Sequence, residues 1–171
     1  MSAPTEAPPA PAAGPAPRAR LLDTVGLLAR LVLGGVLLVA GLMKVVDLTG
    51  MVQNVLAYEL FSYPTARFIA TVVPILEIAV GLLLILGLLT RAGAAVAGLL
   101  MVVFIAGIVS AWSRGLTIDC GCFGTGGPVD PGETTYLADI VRDLGLLALA
   151  AWLVVRPQTL FSLDTLLTKG R

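Results

Sequence analysis

Residues 68–112 read FIATVVPILEIAVGLLLILGLLTRAGAAVAGLLMVVFIAGIVSAW, with Glu77 and Arg91 as the only charges. Crossing ~30 Å of hydrocarbon takes about 20 apolar residues at helical rise. The stretch holds two such lengths, Phe68 to Leu89 and Ala92 to Trp112, separated by Thr90 and Arg91. A tight antiparallel pair of membrane-spanning helices follows, because lipid offers backbone groups no partner outside their own helix.

Two further stretches have the length and apolarity to span. One runs from about Val25 to Lys44 and is interrupted by Arg30; the other, Tyr136 to Val155, holds Asp139, Arg142 and Asp143 in its first half. The expected fold is all-α: a polytopic four-helix membrane domain over residues 21–156, with a short extracytoplasmic loop. Residues 1–20 form a Pro/Ala-rich segment, with six of the chain's eleven prolines by Pro17. Such a composition buries too little apolar surface to offset its ordering entropy, so a disordered cytoplasmic tail is expected there. It leads into an uncleaved signal anchor. Residues 157–171 form a second cytoplasmic tail, weakly amphipathic through Leu160, Phe161, Leu163, Leu166 and Leu167. Met51, Val52, Val55, Leu56, Leu60 and Phe61 recur at helical spacing, which predicts a helix lying at the outer interface.

The whole chain agrees with this class. Of its 171 residues 57% are hydrophobic and 13% charged, against roughly 25% charged in a soluble domain. Mean hydropathy is +0.96. Eleven basic residues balance eleven acidic ones, which argues against nucleic acid as a partner and leaves membrane lipid as the first one. There is no histidine, so imidazole bases, histidine-containing triads and histidine-ligated metals are excluded within the chain. Lys and Arg concentrate on cytoplasmic loops. With the N-terminus inside, that side holds Arg18, Arg20, Arg91, Arg156, Lys169 and Arg171, and the other holds Lys44, Arg67 and Arg114. Both termini are therefore expected in the cytoplasm of a multi-pass cell-membrane protein, with Trp112 and Tyr136 at the outer interface. Gly34, Gly35, Gly41, Gly81, Gly87, Gly93 and Gly98 lie within the spans and are read as close-packing positions.

The two cysteines sit in Leu116-Thr117-Ile118-Asp119-Cys120-Gly121-Cys122-Phe123-Gly124, at the start of a Gly/Pro-rich loop on the oxidising side, where disulfides persist. Extended backbone would separate their Cα atoms by ~7 Å, beyond the usual disulfide range of roughly 4.4–6.8 Å. A turn at Gly121 closes that gap. So small a ring removes little chain entropy and stores strain, which favours thiol exchange over stapling. Inert thiols remain an alternative, as does a disulfide to another protein. Two thiolates with Asp119 make only part of a zinc or copper(I) site, so no metal is assigned. Arg114 would favour a thiolate and Asp119 oppose one, which leaves open which cysteine attacks first.

Charges inside the bilayer face the bundle interior and find partners. Arg30 and Lys44 project from nearly the same side of their helix, four turns apart. Glu77 lies at mid-depth, offset by roughly 6–9 Å at helical rise from Arg30 and from Arg142, so either arginine is its expected partner. A register-fixing ion pair is one reading of these charges; a polar pocket for a quinone headgroup or for proton delivery to the dithiol is the other.

The order Arg30, Gly41-x-x-Lys44, Pro74-x-x-Glu77-x-x-x-Gly81, Arg114-Gly115, Asp119-Cys120-Gly121-Cys122-Phe123-Gly124 and Arg142 resembles the MauE/DoxX-like membrane proteins, most of all the methylamine-utilisation MauE branch. The resemblance covers about residues 30–155. It implies a four-helix membrane protein acting beside a thioredoxin-like or disulfide-rich extracytoplasmic protein, as in maturation of a dehydrogenase subunit. The DoxX branch adds a link to thiol, sulfur and quinone chemistry. The leading functional expectation is a thiol–disulfide redox component using Cys120 and Cys122, with a quinone as candidate cofactor. The alternative is a non-enzymatic scaffold that docks a redox partner. A small-solute transporter is the weakest reading, since only Pro74 hints at a broken helix.

Overall fold

The computed structural model describes residues 17–121, 126–130, 132–157, 159, 162 and 163. Their elements are helices α1 (Pro17–Val46), α2 (Leu48–Ala57), α3 (Tyr63–Leu86), α4 (Thr90–Ser113) and α5 (Tyr136–Val155), with strands β1 (Ile118–Asp119) and β2 (Gly127–Pro128) between α4 and α5. Three helices are long and apolar enough to cross a membrane: Arg20–Val46, Tyr63–Leu86 and Thr90–Ser113. The 20-residue α5 has the length but carries Asp139, Arg142 and Asp143.

Proline begins α1, where its missing N–H and fixed φ cost nothing. The helix therefore takes in Arg18 and Arg20, which the sequence assigned to the tail. Asp47 caps α2 by accepting from Gly50 N–H at 2.8 Å. Helix α3 ends at Gly87, which takes the left-handed conformation at φ 69° and returns its N–H to Leu83 and Leu84 carbonyls. The turn between α3 and α4 is thus Gly87–Leu89, and Thr90 and Arg91 already belong to α4. A Cβ at Gly87 would also collide with the Arg30 guanidinium.

The long helices alternate in direction. Arg156, just past α5, pairs with Asp23 near the start of α1 at 3.1 Å. Arg30 donates to Thr159 Oγ1 at 2.8 Å, and Ser162 Oγ donates to the Gly87 carbonyl at 2.9 Å. These contacts gather the start of α1, the α3–α4 turn and the end of α5 at one end of the bundle. Thr159 and Ser162 are buried there, so this part of the C-terminal segment packs into the bundle. Leu160, Phe161, Leu166 and Leu167 lie outside the described residues. At the other end lie α2 and the short hairpin.

Helices α1 and α3 form the tightest seam. A Cβ at Gly34 would stand 2.9 Å from the Gly81 carbonyl, and one at Gly81 would stand 2.8 Å from the Gly34 carbonyl. Gly41 similarly faces the Pro74 carbonyl at 2.8 Å. Lipid is as apolar as leucine, so helices associate through packing and polar contacts, and small residues permit the approach. Gly35 has open space beside it and takes no part. Around the seam, Leu33, Leu37, Leu84, Ala97, Met101, Leu146, Ala150 and Leu153 form the main core.

Lys44 Nζ and Glu77 Oε1 meet 2.6 Å apart across this seam, with side chains 3% and 1% exposed. Glu77 thus pairs with Lys44 instead of Arg30 or Arg142. Side chains lean toward the N-terminus of their own helix. In an antiparallel pair Lys44 leans toward mid-span and Glu77 away from it, and the two converge.

Two stability outcomes follow. Gly81→Leu inserts a branched side chain against a backbone carbonyl, and overpacking of this kind costs roughly 1–3 kcal/mol; detergent thermal melts should show a lower midpoint, and an unchanged one would contradict the seam. Glu77→Gln and Lys44→Met should each lower the midpoint because a buried charge loses its partner, a loss of ~3–5 kcal/mol in water-soluble proteins. The double variant Lys44→Met/Glu77→Met should recover most of that loss. Additive losses in the double variant would show that the pair is not coupled.

Candidate functional site

The loop after α4 is organised as a hairpin. Strand β1 pairs antiparallel with β2, Ile118 opposite Pro128 and Asp119 opposite Gly127, and Val129 N–H extends the ladder to the Thr117 carbonyl at 3.0 Å. Cys120 and Gly121 leave β1 and Gly126 enters β2. Cys122, Phe123 and Gly124 lie outside the described residues. Gly121 has φ +63°, a left-handed conformation that a Cβ would strain.

Side chains from three helices hold the hairpin down. Tyr136, at the first turn of α5, accepts from Ile118 N–H at 3.0 Å and donates to the Leu116 carbonyl at 2.7 Å. It is 6% exposed, so it is a buried post for the hairpin more than an interfacial anchor; the Trp112 ring, which is exposed, lies 6.1 Å from it. Tyr58 follows α2 and donates to the Cys120 carbonyl at 3.2 Å. Arg114 closes α4 and donates to the Tyr58 carbonyl at 2.6 Å, which ties α2 to the loop.

Asn54 is the residue that sequence reasoning missed. It is 2% exposed, and its carboxamide fills the slot between Gly121 and Gly126: a Cβ on either glycine would overlap it. Both glycines are therefore required by close approach. The one signal in the sequence is the four-residue spacing from Asn54 to Tyr58, the residue that caps α2, which brings both to the same side.

Cys120 is 8% exposed. Its Sγ and carboxylate oxygens of Asp119 and Asp139 lie within 4.8 Å of one another. The three have the residue types of a cation site, yet Asp139 is already committed. Its Oδ2 accepts from Thr135 Oγ1 at 2.8 Å, and its Oδ1 from Arg142 at 2.8 Å. Asp119 in turn accepts from Gly121 N–H at 3.4 Å. With both Asp139 oxygens engaged, the cluster is not a ready metal centre, and what it offers is a thiol beside carboxylates.

Arg142 bridges Asp139 and Asp143, its contact to Asp143 Oδ1 being 2.9 Å. A small cavity of about 20 Å3 joins Asp143 and Arg142 to Glu77, which is room for one water. Glu77 Oε2 and Asp143 Oδ2 have no hydrogen-bond partner among the described residues. The structure thus gathers Asp119, Cys120, Asp139, Arg142, Asp143, Glu77 and Lys44 into neighbouring polar groups on one side of the bundle. Lys44 Nζ also stands 5.0 Å from the Phe104 ring centroid, a cation–π distance. Arg30 is apart from them, at the far end with Thr159.

No curated protein and no solved structure matches the chain. The family model described as methylamine utilisation protein MauE matches residues 22–156, the stretch from early α1 to the end of α5, and the chain belongs to that family.

Proposed function

We propose that this protein is a membrane thiol–disulfide redox component in which Cys120 and Cys122 exchange a disulfide with an extracytoplasmic thioredoxin-like or disulfide-rich protein. The observation that carries the reading is the setting of Cys120: buried, on a pinned hairpin, with its sulfur beside the carboxylates of Asp119 and Asp139. Inert thiols need no such scaffolding. Family membership supports an association with methylamine utilisation. In this reading α5 is a fourth crossing, both termini are cytoplasmic and the hairpin faces outward.

Burial of Cys120 divides the roles. A protein thiol needs an accessible sulfur, so exchange with the partner falls to Cys122 and Cys120 completes the ring. In the oxidising direction, two partner thiols become one disulfide while the Cys120–Cys122 disulfide becomes two thiols. In the reverse direction the Cys120 thiol attacks the mixed disulfide between Cys122 and the partner, a carboxylate near Sγ accepts its proton, and the partner's sulfur leaves as a thiolate while the Cys120–Cys122 ring closes. With two cysteines in the chain, no second pair relays electrons onward, and the two electrons pass to an acceptor in the membrane.

In cells treated with a mild reductant, a membrane-impermeant maleimide should label Cys122 in Cys120→Ser without lysis. Labelling only after lysis would refute the orientation. Acid quench followed by non-reducing electrophoresis should show a mixed disulfide with an extracytoplasmic protein in Cys120→Ser, identifiable by mass spectrometry, and little or none in Cys122→Ser. Full maturation of partner disulfides in the double serine variant would leave a docking scaffold as the function.

A further inference from the structure

The small cavity between α1, α3, α4 and α5 is walled by Glu77, Arg142 and Asp143 and otherwise by apolar side chains, Leu37, Met101 and Phe104 among them. Two carboxylate oxygens belong to this wall, Glu77 Oε2 and Asp143 Oδ2, and neither has a hydrogen-bond partner among the described residues. Their side chains are 1% and 3% exposed. A carboxylate taken out of water needs a partner for its charge as well as for its lone pairs.

The charges around the cavity do not balance. Lys44 answers Glu77 at 2.6 Å, and Arg142 serves both Asp139 and Asp143, at 2.8 and 2.9 Å. Two cations therefore face three carboxylates. The packed elements bring no further cation: α2 has no charged residue, and α4 carries only Arg91, in its first turn at the other end of the bundle. Arg30 lies at that other end as well, with Thr159, and Arg67 of α3 is exposed. Asp119, near Asp139 on the hairpin, adds negative charge and offsets none.

We propose that this cavity is a proton-binding site, in which Asp143 carries one exchangeable proton on Oδ2 and donates it through a single water to Glu77 Oε2. The bound proton cancels the excess negative charge, as when two carboxyl groups share a dry site. Asp143 is the group that carries it because its cation is divided with Asp139, whereas Glu77 has Lys44 to itself. A volume of about 20 Å3 admits one water, which accepts from the acid and donates to the carboxylate, so both lone oxygens gain a partner. Calcium and magnesium gather about six oxygens or more, and this wall offers two lone ones among the described residues. The site stands apart from the thiol–disulfide reading and asks nothing of Cys120.

The first test is infrared spectroscopy of the full-length protein in nanodiscs of ether-linked phospholipid, which has no ester carbonyl to mask the signal. At neutral pH the wild type should show the C=O stretch of one protonated carboxyl group per chain, moving to lower frequency in D2O. Asp143→Asn, which keeps the Lys44–Glu77 pair, should lose the band. Glu77→Gln should lose it too, because either change leaves two carboxylates for two cations. Lys44→Met leaves three carboxylates with one cation and should strengthen the band by taking up a second proton. A fully ionised wild type, or a band that survives either amide variant, would overturn the site.

The second test reads stability against pH. The folded chain holds a proton that the unfolded chain gives up once its carboxyl groups ionise, so the stabilisation is complete in acid and is lost as pH rises. Relative to Asp143→Asn, the wild-type thermal midpoint should therefore fall steadily from mildly acid to alkaline pH. A difference between the two proteins that is constant over this range would overturn the proposal. So would a difference that follows sodium concentration at fixed ionic strength instead of pH, because the cavity would then hold a metal cation in place of the proton.

Discussion

An ammonium and a carboxylate 2.6 Å apart, where no bulk water can solvate either, set the register of this bundle. In hydrocarbon each charge alone is expensive, so any sliding of α1 along α3 that parts Lys44 from Glu77 is opposed. The glycine contacts act on the same coordinate. Gly34 against Gly81 and Gly41 against Pro74 fit one register, and sliding would take the glycines away from the carbonyls whose approach they permit. Packing brings the backbones together, and the ion pair decides where along their length they stop. The position of α2, which follows α1 directly, depends on that stop.

From α2 the dependence runs to the hairpin. Asn54 fits between Gly121 and Gly126 only because α2 is held at that height, and Tyr58 reaches the Cys120 carbonyl from one turn further on. On the other side Tyr136 holds Leu116 and Ile118. A strand pair of two residues on each side is too short to be stable by itself. Its order comes from these side-chain posts, so the surroundings of Cys120 are determined by helices that begin far away in the chain.

The three long apolar helices were legible in the sequence because long runs with almost no charge have few other stable folds. The interior pairing was not. Depth arithmetic placed Glu77 within reach of two arginines, but depth ignores the opposite lean of side chains on antiparallel helices, which brings Lys44 to Glu77. Lys44 was counted among the interior charges, on the same side of its helix as Arg30, but its place at the end of a span hid its reach to Glu77. Asn54 was hidden for a different reason: on an amphipathic helix one asparagine resembles the polar face, and nothing local reveals that a loop some 70 residues later carries two glycines shaped to receive it. Gly87 was read as a packing glycine, although its role is to end α3 and admit Arg30. Cys120 stands out in the sequence by itself, yet Asp139 as its neighbour required the fold of α5 over the hairpin.

The charges of α5 also bear on how that helix packs. Counted one at a time, Asp139, Arg142 and Asp143 would each cost about 2.5–3.5 kcal/mol at mid-bilayer, enough to set α5 apart from its more apolar neighbours. They do not act one at a time. Arg142 contacts both acids at 2.8 and 2.9 Å, Thr135 takes the remaining oxygen of Asp139, and Asp143 turns toward the cavity it shares with Glu77. All three lie in the half of the helix next to the hairpin, away from mid-span, and both aspartates are buried. The opposite half, Leu144 to Val155, carries no charge. A helix that pairs most of its charge internally, near one end and on the bundle side, exposes far less charge than its composition suggests, and its polar groups continue to Glu77 across the small cavity they share.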